Sequence, residues 1–169
     1  MRGGWTKVTK QQKEQVEYWL ANAEYNRAYE ELHSWLKENP DDADLNYLLA
    51  STCDSQGKEK EAYPYYEKAI KLGLGNEDLK GAYLGLGSTY RTLGMYEESK
   101  ATFEAGLAKF PTHYALKVFY AMTLYNLKEY EQAMALLLTC LTETTKDEEI
   151  LAYQKAISFY SGRLNDVWD

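Results

Sequence analysis

Residues 80–113 read KGAYLGLGSTYRTLGMYEESKATFEAGLAKFPTH. Tyr83, Leu86, Gly87 and Tyr90 fall three or four apart, on one face of a helix. Gly94 follows, and a second helical pattern carries Ser99 and Phe103 four apart. Pro111 ends it, because proline has no N–H to donate inside a helix. The spacing predicts two antiparallel helices of roughly three to four turns each, joined at Gly94.

The same marks recur on both sides. Residues 43–79 carry Leu49, Ala50 and Cys53, then Gly57, Ala62, Tyr66 and Ala69. Gly57 and Gly94 are 37 residues apart, and the extra residues fall around 72–77, LGLGNE. Gly73 is placed to end one helix and Asn76 to cap the next, so the insertion is either a longer turn or an added helical turn. Residues 9–42 have a degenerate front half, with Gln12, Gln15 and Val16 at the marks, and a clear back half in Ala28, Leu32, Trp35 and Pro40. Residues 114–147 keep Tyr120, Ala121, Leu124, Tyr130, Ala133, Leu137, Cys140 and Leu141, with Lys128 where the glycines stand. A terminal helix is predicted over 148–161, capped by Asp147, with Ile150, Leu151, Tyr153, Ile157 and Phe159 covering the open end. Gly162 falls on the repeat's glycine, so this helix reads as the front half of a fifth unit. Phe103, Tyr66 and Leu137 are the large residues expected between units. Pro64 is expected to produce a slight kink near a helix start.

The pattern W-x-x-L-G-x-x-Y, then A-x-x-x-F, then P over 34 residues is that of the tetratricopeptide repeat. Residues 80–113 resemble it closely and depart at two marks, Tyr83 for Trp and Ser99 for Ala. The resemblance, with weaker units on either side, implies an all-α fold. It would be a right-handed α-α superhelix, or solenoid, of four helix pairs with a capping helix, in a single domain over 1–169.

In such folds the first helix of each pair lines a concave surface. The repeat frame then assigns Tyr47, Ser51 and Asp54 to the groove in the second unit. The third unit adds Gly81, Leu84, Gly85, Ser88 and Arg91, and the fourth Val118, Met122 and Tyr125. Lys10, Lys13 and Glu17 belong to the first. Gly81 and Gly85 each cost about 1 kcal/mol against alanine inside a helix, which calls for close approach of a neighbour or a ligand. The groove suits an extended peptide or a partner's helix. The carboxylate-clamp subtype is not matched: Lys13 is present, but Glu17 and Leu48 replace its asparagines, and Gly81 and Gly85 stand where Lys and Arg would be.

Composition narrows the function. Lys and Arg number 19 against 26 Asp and Glu, a formal charge of −7, which argues against a nucleic-acid partner. The start, MRGGWTKVTKQQK, has no apolar run of a signal peptide, and no stretch approaches the ~18 apolar residues of a membrane span. Cytoplasmic location without membrane contact is the expectation. Cys53 and Cys140 fall on inward faces and read as buried thiols. His33 and His113 stand apart, and no HExxH, CxxC, EF-hand loop or Walker lysine occurs. The acidic pairs Asp41-Asp42, Glu97-Glu98 and Glu148-Glu149 sit where helix dipoles favour them. No catalytic set, metal or cofactor is expected.

Most of the 16 tyrosines, including Tyr66, Tyr83, Tyr90, Tyr96, Tyr120 and Tyr130, fall on core marks. Trp19 and Trp35 fit inward positions of the first unit, whereas Trp5 and Trp168 lie outside any repeat. The leading reading is a non-enzymatic protein-interaction module or scaffold. A regulatory receptor for a short peptide or small ligand near Gly81, Gly85 and Met122, and a homodimer formed through exposed aromatics, remain open beside it.

Overall fold

The computed structural model describes residues 8–168, so Trp5 lies outside it. The regular structure of the described residues is helical, in two compact units that meet in sequence at Gly94. The first unit holds α1 (Lys10–Ala21), α2 (Tyr25–Glu38), α3 (Ala43–Ser55), α4 (Glu59–Leu72) and α5 (Asn76–Thr92). The second holds α6 (Tyr96–Lys109), α7 (Tyr114–Asn126), α8 (Tyr130–Thr144), α9 (Glu148–Ala152) and α10 (Gln154–Ser161).

Local chemistry sets the helix ends. Thr9 and Gln12 form a reciprocal capping box on α1. Asp42 accepts from the Leu45 N–H at the start of α3, and Asp147 from the Ile150 N–H at the start of α9. His113 caps α7 by accepting from the Leu116 N–H through Nδ1. Between each first and second helix one residue takes a left-handed backbone: Ala23, Gly57, Gly94 and Lys128, with φ of 58°, 69°, 77° and 65°. The repeat frame is thus written in backbone angle even where the glycine is missing.

In the first unit α3 packs against α1, α2, α4 and α5. It buries Leu45, Leu48, Leu49, Ala50 and Cys53, while α2 and α4 send Leu32 and Tyr66 inward between small residues such as Ala28, Ala62 and Ala69. Trp19 is buried and tilted against the half-buried Trp35, ring centroids 6.5 Å apart. In the second unit Phe103 of α6 is fully buried with Leu116, Ala121 and Leu124 of α7. Ser99 and Thr123 share a buried hydroxyl–hydroxyl bond of 2.8 Å. Both cysteines are free and buried. Burial pushes the Cys53 thiol up to about 11, with the Glu61 charge adding to it, so it stays protonated at neutral pH.

Several expectations need correction. Asn76 does not cap α5: Gly75 holds that position, Asn76 is the first helical residue, and α5 is 17 residues long, so the insertion lengthens the helix. The terminal helix is broken at Tyr153 into α9 and α10. Leu151, Tyr153 and Phe159 are exposed rather than laid over a core, and neither α9 nor α10 fully buries a residue. Leu137 and Tyr130 also face solvent, and Tyr96 and Tyr120 are half-buried. Pro64 is the sixth residue of α4, in its second turn, where it leaves the Lys60 carbonyl without its usual donor.

The two extra glycines of α5 have a reason within the chain. A Cβ on Gly85 would lie 2.9 Å from Cε1 of Tyr66 and nearer still to Cζ and the hydroxyl. A Cβ on Gly81 would meet the Tyr47 hydroxyl, with Cζ at 3.1 Å. Tyr66 is buried and hydrogen-bonded, whereas Tyr47 meets Gly81 only with the tip of a half-buried side chain. Gly85→Ala should therefore destabilise the protein by roughly 1–3 kcal/mol through overpacking. Gly81→Ala should stay within about 1 kcal/mol, helix propensity offsetting a small shift of Tyr47. Urea unfolding of both variants checks the order, and equal losses would refute it. Ala23→Gly and Lys128→Gly should each stabilise by about 1 kcal/mol in the same assay, because glycine accepts the left-handed angle without strain.

Candidate functional site

The residues assigned to the groove in the first compact unit lie on α1, α3 and α5. Tyr47, Ser51 and Asp54 are spaced four and three apart along α3, so they share a face. The eight assigned residues on α3 and α5 are half-buried, as is Lys13 of α1, whereas Lys10 and Glu17 are exposed. Tyr66, which the repeat frame treats only as core, supplies their centre. Its hydroxyl hydrogen-bonds both Ser51 and Asp54, and its ring lies 6.2 Å from that of Tyr47. Asp54 also accepts from the Thr89 hydroxyl of α5 at 3.1 Å. Tyr47, Ser51, Asp54, Gly81 and Gly85 are thus brought together around Tyr66. The partner that explains the glycines is the chain's own tyrosine pair.

Lys13 is the second feature. From α1 it reaches Asp44 of α3 at 2.9 Å and Asp78 of α5 at 3.0 Å. Burial by itself would lower its pKa, but the bonds to the two carboxylates outweigh that and the pKa is raised. One ammonium thereby links three first helices. The lysine that matched the carboxylate clamp is already paired within its own unit. Leu84 and Ser88 are half-buried on α5 with Arg91, whose Nε is buried and has no hydrogen-bond partner.

The second unit places Val118, Met122 and Tyr125 on one face of α7. Val118 is half-buried, Met122 is 41% exposed and Tyr125 is 64% exposed. Tyr125 sits edge-on to Tyr130, centroids 5.1 Å apart, so a residue assigned to the core belongs to the exposed surface. Met134, Leu137 and Leu141 of α8 are exposed as well. Their three- and four-residue spacings could have marked an outer stripe, but that spacing serves an inner face equally well. Among the described residues no group of three or more His, Cys, Asp or Glu side chains could hold a metal ion, and no helix is long and apolar enough to cross a membrane.

Comparison with known proteins fits this geometry. A family model described as tetratrico peptide repeat matches residues 44–164. Among solved structures the chain is similar to YrrB, described as a TPR protein with an unusual peptide-binding site. Identity is 21%, the TM-score is 0.69, and the match covers 83% of this chain and 71% of that one. It is also similar to a MamA RS-1 ArsTM double mutant, at 14% identity and TM-score 0.68, over 93% of this chain and 96% of that one. No curated protein matches.

Asp54 makes the first-unit network sensitive to pH. Burial raises its pKa from 3.8; the Thr89 bond lowers it, the Glu59 charge raises it and the Tyr66 bond lowers it, and the balance stays upward. A carboxyl whose folded pKa is raised binds more protons folded than unfolded, so its contribution to stability falls as pH rises through the window just above 3.8. The stability of wild type relative to Asp54→Asn should therefore decline across that window. Thermal unfolding of both proteins from pH 3 to pH 6, on the order of the carboxylate range, measures this. A difference that rises with pH would contradict the assignment.

Proposed function

Because this chain belongs to the tetratricopeptide repeat family, we propose that it is a non-enzymatic protein-interaction module that binds a peptide or helix on the faces of its first helices. The observation that carries this reading is the face of α7, where Met122 and Tyr125 stand exposed beside Tyr130. An aromatic–methionine surface offers adaptable apolar contact with a polar tip, which suits recognition of a partner's side chains. In the first unit, Leu84, Ser88 and Arg91 supply a mixed apolar and polar face beside the Tyr66 network. The repeat family generally serves protein–protein interaction, and YrrB is a family member with a peptide-binding site. With a charge of −7, the chain fits a cytoplasmic partner protein better than a nucleic acid or an anionic membrane.

Tyr125→Ala and Leu84→Ala should each weaken partner capture, by about tenfold if the side chain is a central contact, with little loss of helicity. Affinity capture from the native cell with quantitative mass spectrometry, alongside circular dichroism, checks both. Capture profiles unchanged in both variants would remove the groove assignment.

A further inference from the structure

In both units a first helix lies between two second helices. The first-unit α3 packs against α2 before it and α4 after it, and α7 packs likewise against α6 and α8. α10 packs against α8, the second helix before it, and residues 162–168 are not helical. They run elsewhere: the Asn165 amide bonds Glu131 at the start of α8, and Trp168 leans on Phe159 and Tyr160, centroids 6.1 and 5.5 Å away. Between α8 and the residues of α9 and α10 a cleft of about 760 Å³ stands open. Leu138 of α8 forms one wall, and Ile150, Tyr153, Ala156, Ile157 and Tyr160 form the other. Its remaining lining residues are Asp147 and Glu149, with no Lys or Arg.

We propose that this cleft receives an amphipathic helix from a partner protein, packed there as the chain's own second helices pack on its first helices. The chain's own second helices define its chemistry. α4 buries Ala62, Tyr66 and Ala69, and α6 buries Ser99, Phe103 and Gly106, so each presents small, large and small residues at spacings of four and three. The small residues let the backbones approach, and the large one fills the space between helices. Ala156 gives the cleft a small residue against which such a side chain fits. Asp147 and Glu149 call for Lys or Arg at one end of the incoming helix, where a cationic partner steers encounter and fixes orientation.

The test uses the full chain and a labelled helical peptide with Ala, Phe and Ala at those spacings and lysines at both ends. A second peptide carries glutamates at its ends. Fluorescence anisotropy should show saturable binding of the lysine peptide, weakened about tenfold or more by Ala156→Glu. Glu149→Lys should weaken the lysine peptide and not the glutamate one. Because Glu149 is exposed, that variant decides the matter even if Ala156→Glu loses helicity by circular dichroism. No saturable binding, or binding that both variants leave unchanged, overturns the proposal. Light scattering that finds a wild-type dimer dissolved by Ala156→Glu also overturns it, by giving the cleft to a second copy.

Discussion

A pair of short amphipathic helices has an apolar face that it cannot cover by itself, and the structure depends on how that face is closed. In each unit the closure centres on one large side chain from a second helix. Tyr66 does this in the first unit and Phe103 in the second, each essentially without solvent contact. Small neighbours, Ala62 and Ala69 for Tyr66, Ser99 and Gly106 for Phe103, let the helices come close enough to bury it. Burial of a large aromatic of this kind is worth on the order of 2–3 kcal/mol, a sizeable share of a marginal stability.

Choosing tyrosine rather than phenylalanine at the first-unit position brings a polar consequence. A buried hydroxyl must be hydrogen-bonded, so Ser51 and Asp54 of α3 are drawn to it, and Thr89 of α5 follows through Asp54. The ring needs room on α5, and Gly85 gives it. Lys13 adds a further tie among α1, α3 and α5 through two carboxylates. The first unit thus ties Ser51 and Asp54 of α3 to Tyr66 and Thr89. Phe103 makes no such demand, and in its unit Ser99 and Thr123 share a buried hydroxyl–hydroxyl bond.

The repeat was legible because its marks are geometric. Gly57 and Gly94 report a left-handed turn, and Tyr83, Leu86 and Tyr90 report a face, so helix existence followed from residue type and spacing. What residue types could not report was which side of a helix found a neighbour. Tyr130 and Leu137 keep the repeat spacing yet face solvent, because spacing fixes a shared face and not what lies against it. Gly81 and Gly85 were legible as sites of close approach, but the identity of the approaching group required Tyr47 and Tyr66 to be seen in place. The break at Tyr153 left no sequence signal, since no proline or glycine stands there.

Under the proposed function, these two kinds of surface would divide the labour of recognition. The first-unit face is polar, half-buried and internally bonded, so a ligand there must replace existing hydrogen bonds, which favours discrimination over affinity. The α7 face exposes Met122 and Tyr125, and the cleft beside α10 is walled mainly by apolar side chains, so burying them returns hydrophobic free energy directly. The asymmetry traces back to a single hydroxyl on the residue that closes the first unit's core.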